Sequence, residues 1–206
     1  VKMLKTSKNR GPDSSGIYLD KIQTDIDLDE FCDDNTYSIG FGHNLLQIYD
    51  DENRVSRPQP VGSEDLVVVF NGEIYNYQEL RAELQELGHT FATAGDGETL
   101  LHGYEQWGAD LLPRLRGMFG FAIWNVAEQT LFIARDYFGI KPMHYTLLED
   151  GRLVYGSEIK SILGHPDVKK EFNPAALDKY LSFQYSTSGC PTSMSIRPIR
   201  YTGGTS

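Results

Sequence analysis

Tyr77, Leu80, Leu84 and Leu87 recur at spacings of three, four and three, and this rhythm predicts a helix over 76–87 with one apolar face. Asn76 stands where an N-cap would, Glu79 lies three residues on, and Gly88 is placed to end the helix. A second helix is predicted from Glu98 to Trp107, with Gly108 after it, and a short third one over 109–116. Before these helices, Leu66 to Phe70 is an apolar run of strand length that ends at Asn71-Gly72, a strong turn signal. After them the pattern shortens to strands: MFGFAIWN, TLFIARD, HYTLLE and RLVYG follow one another, with Asp150-Gly151 as a hairpin signal. Earlier, Gly16 to Leu19 and Tyr37 to Gly42 read as strands, and 50–65 as a loop. Val1 to Asn9 reads as the end of a polar helix broken by Arg10-Gly11-Pro12-Asp13. A short helix is expected from Glu158 to Leu163, and another opens at Asn173-Pro174 with Ala176, Leu177, Tyr180 and Leu181 as its apolar residues. Strands, helices and again strands with tight hairpins predict an α+β fold with antiparallel sheets; a doubly wound parallel sheet needs strict alternation. There is no internal repeat.

The chain has 206 residues, enough for one domain with a tail. It has 29 acidic against 19 basic residues, a formal net charge of −10. This argues against binding a phosphate backbone, which needs clustered Lys and Arg. No apolar run reaches the length of a membrane span, and no segment reads as a signal peptide. Two cysteines, Cys32 and Cys190, make no disulfide framework, so a reducing cytoplasmic setting is expected.

The side chains able to do chemistry are few. Asp25, Asp27 and Asp29 are spaced like the start of a calcium loop, but its sixth and twelfth positions are Glu30 and Thr36, so 20–35 is expected to be a solvated acidic surface loop. The five histidines lack H-x-x-x-H spacing and there is no CxxC, so no metal site is expected. Glu30, Asp33 and Asp34 surround Cys32 and disfavour its thiolate. Gly95-Asp96-Gly97 lies at a helix start but in no phosphate-loop pattern, and reads as a turn with Asp96 or Gly97 as cap.

Larger segments carry more. RGPDSSG (10–16), GHNLLQIYD (42–50), Gln59-Pro60, NGEIYNYQELRAEL (71–84), GDGETLL (95–101), LRGMFGFAIWN (115–125), ARDYFGIKPMHY (134–145), YGSEIKSIL (155–163) and ALDKYLSFQY (176–185) occur in this order. Together they resemble the glutaminase domain of glutamine-hydrolysing asparagine synthetases, class II glutamine amidotransferases of the N-terminal nucleophile hydrolase superfamily. The resemblance implies a four-layer αββα sandwich of two antiparallel sheets. It implies an amidotransferase domain over 1–185, with 186–206 as a tail or linker toward an ATP-dependent synthetase domain that lies outside the chain. It also implies a mechanism in which an N-terminal Cys attacks the side-chain amide of glutamine, its own α-amine acting as base. Ammonia released there would serve ATP-dependent amidation of aspartate. In this scheme the Asn71 side chain and the Gly72 N–H form the oxyanion hole, while Glu73 and Asp96 hold the α-amino group of glutamine. Arg10 would tie the loop beside the nucleophile. No cofactor is expected in the chain itself, with ATP and Mg for the synthetase domain. The expected partners are glutamine and that domain, with a homodimer left open, and neither nucleic acid nor membrane.

Against that pattern, Val1 falls inside a helix that in the family follows the Cys-bearing start, which suggests an N-terminal truncation. The 206 residues as written are therefore expected to be inactive. Leu45 stands where many members carry an Arg for the glutamine carboxylate. Residues 20–35 read as an insertion. Two other readings stay open at this point: a pseudo-amidotransferase serving as a non-catalytic interaction module, and an amidotransferase with a different acceptor.

Overall fold

Residues of alternate parity along the central strands feed two separate cores. In β5 (Leu66–Ile74), β6 (Gly117–Asn125) and β7 (Thr130–Arg135), the side chains of Leu66, Val68, Ile74, Phe119, Phe121, Ile123, Phe132 and Ala134 form one buried cluster. Their neighbours Val67, Ala122, Trp124, Leu131 and Ile133 form another on the opposite face. A sheet apolar on both faces must be covered on both, and the computed structural model shows how. It describes residues 1–20, 22–31, 37–45, 59–60 and 65–170, together with Pro174, Leu177, Leu181 and Ser182.

The central sheet has the order β4-β5-β6-β7, where β4 is Gln59–Pro60, and its neighbours pair antiparallel throughout. On one face lie α2 (Tyr77–Glu86) and α3 (Asp96–Trp107), which bury Leu80, Leu100 and Leu101 against it along with Leu111 of a 3-10 turn over Gly108–Arg114. The other face packs on a second sheet of β1 (Ser14–Leu19), β2 (Ile22–Asp25) and β3 (Gly40–Leu45), ordered β2-β1-β3, through β1 and β3, and on the hairpin of β8 (His144–Leu147) and β9 (Leu153–Gly156). Tyr18, Phe41, Met143, Leu153 and Tyr155 fill the space between the sheets. The helices α1 (Lys2–Thr6) and α4 (Ile159–Leu163) pack on each other, with α1 against β3 and α4 against β8 and β9. The layers are therefore helix, sheet, sheet, helix.

The sequence rhythm placed α2, α3, β6 and β7 within a few residues, and the structure differs at informative points. Asn71-Gly72 is not a turn: β5 runs through it to Ile74 in unbroken register with β6. Asn76 holds the N-cap position of α2 without a capping bond. Its amide instead donates to the Arg114 carbonyl at 3.0 Å and accepts from the Arg116 N–H at 2.9 Å, stitching the helix start to the approach to β6. Leu87 is 52% exposed, because α2 ends one residue earlier and the chain turns away through Gly88 at φ +97. That turn is a Schellman motif: His89 N–H donates to the Leu84 carbonyl and Gly88 N–H to that of Gln85, both at 3.0 Å. The β7–β8 connection changes sheets, so the four strands after residue 117 are two hairpins in different layers. Within the acidic stretch, β2 pairs with β1 and Leu28 is buried, so this part is built into the sheet edge. Cys32, most of the 50–65 loop and the tail from residue 183 lie outside the described residues.

The loop after β7 is organised by one carboxylate. Asp136, which is buried, accepts from the N–H groups of Ile140 at 2.8 Å, Lys141 at 3.0 Å and Phe119 at 3.2 Å. Burial raises its pKa, but the three backbone donors with nearby Arg135 outweigh that and leave the group below the ordinary carboxylate value. A depressed folded-state pKa contributes stability that is present above the unfolded value and lost as pH falls through the folded one. Asp136→Asn should therefore cost about 2–3 kcal/mol near neutrality. The gap between wild type and variant should narrow only below about pH 4, where an unfolded Asp titrates. Urea unfolding from pH 7 to 2 measures both; a gap independent of pH would contradict the charged-cap account.

Candidate functional site

The far end of β5 gathers the residues singled out by sequence. Strand parity turns Asn71 and Glu73 to the side of Val67 and Val69, toward the second sheet, and turns Ile74 toward the helices. Asn71 Nδ2 donates to Ser157 Oγ at 3.5 Å, across the sheets to the residue just after β9. From the helix layer, Asp96 Oδ2 accepts the Ile74 N–H at 3.1 Å. The carboxylate that reads in sequence as a helix cap thus holds the end of β5, and Gly95 takes the cap position of α3. Asn71, Gly72, Glu73 and Asp96 are brought to one strand end although Asp96 is more than twenty residues away in sequence.

The backbone there is unusual. Gly72 has φ +144, and a Cβ on it would run into the Met118 carbonyl oxygen and lie 2.8 Å from the Phe119 Cα. A Cβ on Gly117 would likewise strike the Glu73 carbonyl. Only glycine lets β5 and β6 approach this closely. A tight glycine strand beside an amide side chain is a way of presenting fixed donors, an N–H and an NH2, to developing negative charge.

The surrounding residues are tied in through short polar links. Arg10 Nη1 lies 3.6 Å from Glu158 Oε1, and Lys160 Nζ is 3.0 Å from Glu158 Oε2 and 3.0 Å from Asn9 Oδ1. Among the described residues, Arg10 is linked to the Asn71 neighbourhood through Glu158, the residue after Ser157. His43 pairs with Gly16 in β3 and shares the parity of Phe41, which faces the inter-sheet core. Burial pushes its imidazole down to about 4, so it is neutral at pH 7. Its neighbour Asn44 fixes α1 by donating to the Leu4 carbonyl at 3.0 Å and accepting from Ser15 Oγ at 2.8 Å. The backbone of Leu45 pairs with Ser14 at the end of the same strand. Sequence reasoning saw Glu158 only as a helix start and gave Ser157 no role; only the fold sets Ser157 opposite Asn71.

Comparison with known proteins bears on the family and the fold. A family model described as a glutamine amidotransferase domain matches residues 1–201. The chain is 41% identical over 180 residues to a glutamine-hydrolysing asparagine synthetase (number 1) of Bacillus subtilis, covering 86% of this chain and 25% of that protein. It is 34% identical over 201 residues to the synthetase numbered 3 of the same organism, covering 97% and 30% respectively. The chain thus spans about a quarter to a third of the length of these curated relatives. Among solved structures, it superposes on a glutamine phosphoribosylpyrophosphate amidotransferase of B. subtilis with a TM-score of 0.61 at 20% identity, covering 78% of this chain and 39% of that one. An allosteric regulatory enzyme of purine biosynthesis gives 0.63 at 20% identity, covering 79% and 39%.

Proposed function

The chain belongs to the glutamine amidotransferase domain family, and from that membership we propose that it is the glutaminase unit of an asparagine synthetase-like enzyme. The unit would hydrolyse glutamine and supply ammonia for ATP-dependent amidation of aspartate by a second unit beyond these residues. The observation that carries the reading is that Asp96 closes on the end of β5, accepting the Ile74 N–H one residue beyond Asn71-Gly72-Glu73. Identity of 41% and 34% to two such synthetases supports aspartate as acceptor.

In this reading the α-amine of an N-terminal cysteine takes the proton of its own thiol as the sulfur attacks the side-chain amide carbon of glutamine. The Asn71 amide and the Gly72 N–H donate to the oxyanion of the tetrahedral intermediate. The proton returns to the departing nitrogen, ammonia leaves, and water hydrolyses the thioester to glutamate. Glu73 and Asp96 receive the α-ammonium of glutamine, whose three donors suit two carboxylates. Asp96 lies at the first turn of α3, where it also steadies the end of β5. ATP and Mg are assigned to the synthetase unit, and none of these roles uses them. Tyr137 and Phe138, 85% and 84% exposed on the Asp136 loop, offer that unit an aromatic surface.

Val1 carries no thiol, and Cys32 and Cys190 fall in neither the position nor the setting of the nucleophile. Residues 1–206 alone should therefore release no glutamate from glutamine. A form carrying a Cys-Gly start and the segment joining it to Val1 should do so. In that form Asp96→Asn and Glu73→Gln should raise KM for glutamine by roughly ten- to a hundredfold, the worth of one charge-assisted hydrogen bond. Glutamate assays of these four proteins provide the test. Turnover by residues 1–206 would overturn the mechanism, and silence in the Cys-bearing form would favour a pseudo-amidotransferase.

A further inference from the structure

The segment between α2 and α3 folds back so that His89 meets the side of α3. There three electron-pair donors face one another. His89 Nδ1 is 3.3 Å from His102 Nδ1, His102 Nδ1 is 3.3 Å from Glu105 Oε2, and His89 Nδ1 is 3.6 Å from the same oxygen. These atoms form a mutually close His-His-Glu group. We propose that they are a binding site for a late first-row divalent transition metal of the zinc class, with His89, His102 and Glu105 as ligands. The site is separate from the end of β5 and does not depend on the glutaminase reading.

The outer contacts of both rings favour this. His89 Nε2 is 2.9 Å from Gln106 Oε1, so its proton sits on Nε2 and its lone pair on Nδ1. His102 Nε2 lies 3.7 Å from Glu98 Oε1, so a carboxylate stands behind this ring as well. Glu98 is itself immobilised, accepting from the N–H groups of Ala92 and Thr93 at 2.7 Å each and from Thr93 Oγ1 at 2.6 Å. The two Nδ1 atoms and a carboxylate oxygen converge on one point. A proton shared by two of the three atoms leaves the third opposed to a lone pair, whereas one cation satisfies all three. Metal-binding histidines characteristically donate their second ring N–H to a carboxylate or carbonyl in this way.

Distance and ligand type narrow the metal. Tetrahedral sites with metal–ligand bonds of about 2.0–2.1 Å have ligand–ligand edges of about 3.3–3.5 Å. Octahedral neighbours at right angles and the same bond length would be about 2.8–3.0 Å apart. The observed 3.3, 3.3 and 3.6 Å fit the tetrahedron. Two imidazoles disfavour Mg and Ca, which prefer oxygen. The His89 and His102 side chains are 14% and 9% exposed, and that of Glu105 is 40%, so the site has dry walls and an opening through which the metal and a fourth ligand from solvent can enter. Ligation would clip the 88–95 segment to α3.

The test uses untagged, chelator-treated protein in its full-length form, titrated with Zn2+ and separately with Co2+ as a spectroscopic probe. The expected result is one tight equivalent lost in the His89→Gln and His102→Gln variants, at least a hundredfold weaker binding in Glu105→Gln, and about tenfold weaker binding in Gln106→Ala, an outer-contact variant. Zn2+ should raise Tm in wild type and not in His89→Gln. The Co2+ form should show the intense visible bands of a four-coordinate ion. Circular dichroism of each variant establishes that it is folded, and the exposed Glu105 position keeps the test open if the buried His102 change unfolds the chain. Equal Zn2+ affinity in wild type, His89→Gln and Glu105→Gln would overturn the site. A weak six-coordinate Co2+ spectrum would overturn the tetrahedral assignment.

Discussion

Gly72→Ala should destabilise the protein by about 3–5 kcal/mol, a large fraction of the 5–15 kcal/mol by which a domain of this size is held folded. Two costs combine. At φ +144 an L-residue is strained on its own account. In addition, the new methyl overlaps the Met118 carbonyl oxygen and crowds the Phe119 Cα, both backbone atoms of the paired strand that cannot swing aside as a side chain could. Relief requires β5 and β6 to part where Gly72 pairs with Phe119, next to the Phe119 N–H that Asp136 holds. Gly151→Ala separates the two costs. Gly151 also has positive φ, at +85, but a Cβ there meets nothing within 4 Å. It should cost only about 1–2 kcal/mol, the strain alone. Urea unfolding of the pair gives the answer. Similar losses at the two positions would mean that the close approach of β5 and β6 is not a constraint.

The same glycine shows where sequence reading succeeds and where it stops. Helices α2 and α3 and strands β6 and β7 were legible because their apolar residues lie on one face or alternate, and burial against a neighbouring layer enforces that rhythm. Asn71-Gly72 was misleading because the conformations that make Asn-Gly a turn also let glycine pass another strand at close range. The dipeptide reports freedom of φ; the pairing of nine consecutive residues with β6 decides how that freedom is used. Asn76 and Asp96 misled in a related way. Both are good capping residues, yet their side chains bond to Arg114, Arg116 and Ile74, partners 22 to 40 residues away. Capping preference describes the isolated helix end, and a distant backbone group of equal strength displaced it. His89 and His102 carry no metal spacing because they approach from a loop and a helix, and only the Schellman turn at Gly88 directs the loop back. The roles proposed at the end of β5 came from the likeness of whole segments; periodicity alone gave no reason to join residue 71 to residue 96.

In the Cys-bearing enzyme, Asn71→Ala should lower kcat for glutamine hydrolysis by about 10²–10³, the cost of losing one oxyanion-hole donor, or about 2.7–4 kcal/mol of transition-state stabilisation. KM should change little, because the amide is needed only when the carbonyl oxygen becomes an oxyanion. Stability should also change little. Asn71 is half-buried, and its hydrogen bond to Ser157 is long, at 3.5 Å. Ser157→Ala is the companion variant. If Ser157 merely keeps the Asn71 amide aimed between the sheets, its loss should reduce kcat by less than tenfold, and the double variant should be no worse than Asn71→Ala alone. The contrast with the carboxylates is diagnostic. Changes at Glu73 and Asp96 should appear in KM because they hold the ground-state ammonium, whereas changes at Asn71 should appear in kcat because it meets charge that develops later. Steady-state glutamate release with each variant separates the two patterns. An Asn71→Ala enzyme with unchanged kcat and raised KM would remove Asn71 from the oxyanion hole and make it a binding residue.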